Sequence, residues 1–122
     1  MKQIIDSNII IYSASDAHLH LRKYLTSTDS CAASVSIIEV LGYHKLTEKD
    51  RHYFEAVFRL ITIAEPEMKI IYDAAKLRRT YNLSVADSII AATALGSNLE
   101  LVTRNSDDFK NIKQLKLLNP FL

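Results

Sequence analysis

The sequence predicts an α/β fold, a single-domain three-layer α/β/α sandwich with a mostly parallel central sheet and Rossmann-like topology. Two observations lead there. Short apolar runs of strand character alternate with longer stretches of helical periodicity along the whole chain. Strands separated by helices pair in parallel, because parallel neighbours need crossover connections that cover both sheet faces. The chain also has only two glycines and two prolines. No flexible linker, low-complexity segment or repeat divides it, so its 122 residues form one domain over residues 1–122.

The first element is a buried strand at Gln3 to Ile5, ended by Asp6-Ser7-Asn8, three residues of helix-capping type, before the apolar turn Ile9 to Tyr12. His18 to Thr26 is predicted as a helix from Leu21 and Leu25 on one face. Cys31-Ala32-Ala33 is a small-residue strand, and a second helix follows from Ile37 to His44. Tyr53, Phe54, Val57 and Phe58 fall at helical spacing within Lys49 to Arg59 and read as core. Leu60 to Ala64 is a buried strand closed by Glu65-Pro66. Met68 to Tyr81 and Val85 to Leu95 are two more helices, with Gly96 expected as a left-handed cap on the second. Glu100 to Thr103 is the last clear strand, followed by Arg104 to Phe109 and a short tail strand near Lys116 to Leu118.

Fifteen basic against fourteen acidic side chains give a net charge of +1, which neither requires nor excludes a polyanionic partner. The lone Cys31 cannot form an internal disulfide or a thiolate zinc site and reads as a buried core thiol, in keeping with a reducing compartment. The first residues carry no signal-peptide pattern and no apolar stretch reaches membrane-spanning length, so the expected location is the cytoplasm.

Ligands of open parallel sheets collect beyond the carboxyl ends of the strands, which directs attention to the residues after them. Asp6 follows the first strand, Glu39 lies in the first turn after the second, Asp87 opens a late helix and Asn105 sits just past the last clear strand. A convergent set of this kind suits metal-assisted phosphodiester hydrolysis, because magnesium and manganese take hard oxygen ligands and carboxylates repel without a cation between them. Residue types alone leave a second reading open. Ser36-Ile37-Ile38-Glu39, Thr47-Glu48-Lys49-Asp50 and Ser84-Val85-Ala86-Asp87 all match helix capping boxes, and Asp6 fits a turn or cap. The four histidines, among them His18 and His20, receive no functional role.

Three segments resemble one family. Ile4-Ile5-Asp6-Ser7-Asn8-Ile9-Ile10 is similar to the first motif of PIN domains, and Leu83 to Ala94 resembles their acid followed by an alanine-rich helix. Leu101 to Phe109 resembles the segment after their fourth strand, with Asn119-Pro120-Phe121 closing the match. The resemblance implies a PIN-like fold and a divalent-metal-dependent ribonuclease. Asp6, Glu39 and Asp87 would hold Mg2+ or Mn2+, and Ser7 and Thr103 would orient ligands or waters behind them. The family's fourth acidic position falls on Asn105, a neutral amide that binds a hard cation more weakly; Asp107 or Asp108 would have to supply the missing charge, although Asp108 also fits a capping acid. Arg104 is a candidate phosphate contact, as are Arg78 and Arg79, with a solvated face as the other reading.

At this length the resemblance is to VapC-type toxins, which implies RNA as substrate, an antitoxin partner and a homodimer. A housekeeping RNA-processing nuclease is the alternative within the family. A phosphoacceptor receiver domain or a noncatalytic α/β binding module lies outside it; the receiver pattern of paired acids after the first strand is not met by Asp6-Ser7.

Overall fold

The computed structural model describes residues 1–122. In chain order the elements are β1 (Gln3–Ile5), α1 (Ser7–Ser13), a 3-10 turn (Asp16–Leu21), α2 (Arg22–Thr26), β2 (Ser30–Ala33), α3 (Val35–Leu41) and α4 (Glu48–Leu60). Then follow β3 (Thr62–Ala64), α5 (Met68–Tyr81), α6 (Val85–Gly96), β4 (Glu100–Val102), α7 (Ser106–Phe109) and β5 (Leu117–Leu118). The five strands form one sheet in the order β3-β2-β1-β4-β5. Every pairing is parallel, as the alternation of elements predicts.

Each central strand feeds both layers because successive side chains point to opposite faces. Ile4, Cys31, Ala33 and Leu101 enter one core with Ile90, Ala91 and Ala94 of α6 and Phe109 of α7. Ile5, Ala32 and Val102 enter the other with Ile9 and Ile10 of α1, Val40 of α3 and Phe54 and Val57 of α4. Helix α5 packs on α6 and buries only Ala74 completely. Cys31 is a buried, free thiol, and no helix is long and apolar enough to cross a membrane.

The strand order fixes where a site forms. From β1 the chain winds outward through β2 to β3, then crosses back to place β4 on the other side of β1. The switch point is therefore between β1 and β4, and their carboxyl ends open onto a crevice that no crossover covers.

Several local expectations are corrected. The segment predicted as one helix from His18 to Thr26 is a 3-10 turn followed by α2, with a kink at His18 (φ −128°, ψ 36°). Helix α3 starts two residues before the expected Ile37 and stops at Gly42. Leu60 closes α4 and does not begin β3. Gly96 is not left-handed: it is the last residue of α6, and no glycine has positive φ. The left-handed positions are Asn82 (φ 55°), which ends α5, and Asn98 (φ 53°), whose short polar side chain tolerates that region. At Gly96 a Cβ would lie 2.7 Å from Ile70 Cδ1, so the glycine lets α6 close against the tip of a side chain on α5.

Candidate active site

Asp6 forms the floor of the crevice. It is 4% exposed and serves as the N-cap of α1, one oxygen accepting from the Ser7 N–H at 2.8 Å. The other accepts from the Thr103 hydroxyl at 2.7 Å and from Asn8 Nδ2 at 3.1 Å. Thr103, fully buried just after β4, ties the two strands of the switch point together through this bond. Its Oγ1 also accepts from the Asn105 N–H at 3.0 Å. Capping and site-building thus coincide at Asp6, since the turn that starts α1 is what fixes the carboxylate.

Glu39 stands at the exposed rim, on α3, where its Oε1 accepts from the Ser7 hydroxyl at 2.7 Å. The capping-box reading of Ser36 to Glu39 is overturned. Helix α3 begins before Ser36, and its first residue is preceded by Ser34, which makes no side-chain cap. Ser36 is buried within the helix, with its Oγ 2.8 Å from Ser7 Oγ. Ser7 therefore links α1 to α3 through both Ser36 and Glu39.

Asp87 is half-buried in the first turn of α6. Here the capping box is real: Ser84 Oγ accepts from the Asp87 N–H at 3.1 Å. That bond uses the Asp87 backbone, which any residue would supply, and Ser84 also acts on the carboxyl itself, favouring its charged form.

The three acids share one electrostatic field. Burial, with the charges of Asp87 and Glu39, pushes the Asp6 carboxyl up to about 6, against the lowering hydrogen bonds from Thr103 and Ser7. Burial and then the Glu39 charge raise Asp87 as well, with a further contribution from Asp108. None of the three acids joins an ion pair. Their carboxylates do not close into a three-residue chelating cluster. They are a set of hard oxygen donors with uncompensated charge, which is the chemistry that fits a divalent cation of the magnesium or manganese kind.

The other expected residues are placed differently. Asn105 is exposed at the start of α7 and its side chain makes no hydrogen bond to the acids; its backbone carbonyl accepts from the Asp108 N–H. Asp108 does not act as a side-chain cap. It lies within α7, where its charge reaches Asp87, whereas Asp107 faces Lys110 at 3.7 Å. Near Asp87 the additional negative charge is that of Asp108, whereas Asn105 supplies none. Arg104 turns its guanidinium onto the rings of Tyr12 (4.6 Å) and Phe121 (4.9 Å). Arg78 and Arg79 lie in the last turn of α5, exposed, and make no contact with the acids.

Asn8 is the residue sequence reasoning passed over. Its amide donates to Asp6 and, at 3.4 Å, to Thr103, while its Oδ1 accepts from the Arg104 N–H at 3.2 Å. One side chain so braces both lips of the crevice. The signal was present in Asp6-Ser7-Asn8, where it read as capping chemistry. Ser36 was missed for the same reason.

A five-stranded parallel sheet in this order, with acids from three elements sharing one electrostatic field near its switch point, defines a class of α/β protein, and the sequence fits one family of it. The PIN domain profile matches residues 4–115, and the chain belongs to the PIN-domain family. Among solved structures it is similar to Rickettsia felis VapBC2 bound to a fragment of its promoter DNA, with 22% identity, a TM-score of 0.79 and 98% of each chain covered. A toxin–antitoxin complex from Klebsiella pneumoniae matches at 24% identity and TM-score 0.78, over 98% of each chain. DNA-bound VapBC from Salmonella typhimurium matches at 20% identity and TM-score 0.82, over 97% of each. A comparison with curated protein sequences found no match.

Proposed function

We propose that this chain is a divalent-metal-dependent endoribonuclease, the toxin of a type II toxin–antitoxin pair, with Asp6, Glu39 and Asp87 as its metal ligands. The observation that carries the reading is that these three acids lie near enough around the β1/β4 switch point to raise one another's proton affinity, with no basic side chain paired to them. An anionic crevice repels a phosphodiester until its charge is neutralised, so the acids make sense as ligands for a cation that the substrate then meets.

Asp6, Glu39 and Asp87 would hold the magnesium or manganese, which when bound would supply Lewis acidity for phosphodiester hydrolysis. The chain's residues do the positioning. Thr103, Asn8 and the Ser7 N–H fix both oxygens of Asp6. The Ser7 hydroxyl turns Glu39 inward, and the Ser84 cap fixes the first turn of α6 so that Asp87 faces Glu39. With its carboxyl at about 6, Asp6 is mostly ionised at neutral pH. No side chain is needed as nucleophile.

Membership of the PIN family and likeness to a Klebsiella pneumoniae toxin–antitoxin complex support an antitoxin partner. Met68, Ile71 and Tyr72, exposed at helical spacing along α5, support a homodimer. The test is cleavage of single-stranded RNA with added Mg2+ or Mn2+ by the wild type and by Asp87→Asn. We expect cleavage that chelation abolishes and that the variant loses by more than about a hundredfold. Equal cleavage by both proteins would sink the proposed site.

A further inference from the structure

Beside the acidic crevice lies a second constellation that the metal site does not use. Tyr12, His18, His20 and Phe121 pack edge to face, with centroids 5.3 Å apart for Tyr12–His18, 5.4 Å for Tyr12–Phe121, 5.2 Å for His18–Phe121 and 6.0 Å for His20–Phe121. The Arg104 guanidinium lies over two of these rings and donates through Nη1 to the Tyr12 hydroxyl. We propose that this cluster is the foothold for the single-stranded RNA next to the scissile phosphate: a base stacks on the rings and Arg104 holds a backbone phosphate.

Arg104 carries five N–H donors, of which the protein engages one, and no carboxylate pairs with it. Its contact with two rings restrains the long side chain, so part of the entropy of ordering it is already spent when a phosphate arrives. Two of the four rings, His18 and His20, come from a region of unusual backbone: the kink at His18 turns the 3-10 turn back toward Tyr12. His20 is exposed, while Tyr12, His18 and Phe121 are half-buried, which leaves aromatic surface open to a base.

The cluster is also wired to the site. Tyr12 is one helical turn from Asn8 on the same face of α1, a rise of about 6 Å. Arg104 directly follows Thr103, and its N–H is held by Asn8. Both Thr103 and Asn8 bond Asp6. Charge favours a nucleic acid over a protein as the occupant. Arg104 forms no ion pair although Asp107 and Asp108 line the hollow beside it, and the crevice's own acids repel phosphate, so a phosphate chain gains its attraction from this guanidinium.

The inference rests on the nuclease reading, and its test separates the two. Binding of a fluorescein-labelled single-stranded 12-mer RNA of mixed sequence, and of an abasic 12-mer, is measured by anisotropy with Mg2+ in the full chain carrying Asp87→Asn. Phe121→Leu and His20→Ala should each weaken binding of the RNA about fivefold or more while leaving the abasic strand unchanged. Arg104→Lys should weaken both strands, and Phe121→Tyr should restore wild-type binding. Thermal melts show whether each variant is folded; His20→Ala, at an exposed position, keeps the test alive if Phe121→Leu is not. Equal RNA binding by folded variants overturns the foothold and points to a protein-facing surface. Ring-dependent binding with no cleavage by the parent chain supports the foothold and defeats the nuclease reading. No RNA binding at all defeats both.

Discussion

Asp6 caps α1 from a buried position at the candidate site, and its environment sets a measurable cost. Its carboxyl ordinarily ionises near 3.8 and is pushed up to about 6 in the fold, chiefly by burial. Between those values the folded protein holds a proton that the unfolded chain has released. The stability from this group is therefore greatest below pH 4, falls as pH rises toward 6, and is lowest above it, by at most about 3 kcal/mol. Urea unfolding in EDTA at pH 5 and pH 7.5 should show a loss in the wild type that Asp6→Asn largely removes. Identical pH slopes for the two proteins would contradict the assignment. Thr103 opposes the cost by donating to the buried carboxylate. Thr103→Val should lower stability at pH 7.5 by about 1.5–3 kcal/mol, as for other hydrogen bonds to charged groups. A change smaller than the error of the unfolding curves would mean the bond contributes nothing.

At the scale of elements, the helix starts explain why capping patterns were ambiguous guides. Ser84 to Asp87 and Ser36 to Glu39 have the same spacing, yet only the first caps. Burial decides between them: Ser36 lies inside α3 and turns its hydroxyl to Ser7. In α6 the two duties of Asp87 are separable. Ser84→Ala removes the acceptor of the Asp87 N–H and should cost about 1 kcal/mol, with the carboxylate and any cleavage largely retained. Asp87→Asn keeps the backbone cap and should stay as stable as the wild type within about 1 kcal/mol while losing cleavage. Paired melts and RNA assays on the two variants check this, and the reverse pattern would make Asp87 a structural acid. Thr47 is a cap without a site: its Oγ1 accepts from the Asp50 N–H at 3.2 Å, the role its pattern implies.

For the whole molecule, the strand order does the work of assembly. Asp6 and Thr103 are far apart in sequence and meet because β1 and β4 are neighbours at the switch point. Ile4 and Ile5 anchor opposite cores from adjacent positions of β1. Ile4→Ala and Ile5→Ala should each cost about 2–5 kcal/mol, and each should leave a single cooperative unfolding transition, because both layers share the sheet. Two resolved transitions in either variant would argue for independently folding layers. A cation at the three acids adds a separate signature. At a hundredfold excess over its dissociation constant, Mg2+ or Mn2+ should add about 2.7 kcal/mol at pH 7.5, an increment that Asp87→Asn reduces and that shrinks at pH 5 as Asp6 takes up its proton. Calorimetric melts with and without metal decide it.

Local signals settled the parts of the chain that local physics controls. The strands at Gln3 to Ile5 and Glu100 to Val102, the long helices α4, α5 and α6, and the parallel α/β class follow from apolar periodicity and from the order of elements. Asp6 and Asp87 stood out because motif residues surround them. The kink at His18, the early start of α3, the helical Gly96 and the bracing role of Asn8 were not legible, because each is set by a neighbour distant in sequence. Nor was the charge of Asp108 near Asp87. By itself the sequence determined the class and order of the elements and which of them are apolar enough to be buried; tertiary structure alone decided which capping patterns form and which carboxylates share a field. A hydrogen bond between Thr103 and Asp6 or Ser7 and Glu39 exists only after strands and helices far apart in the chain have been packed side by side.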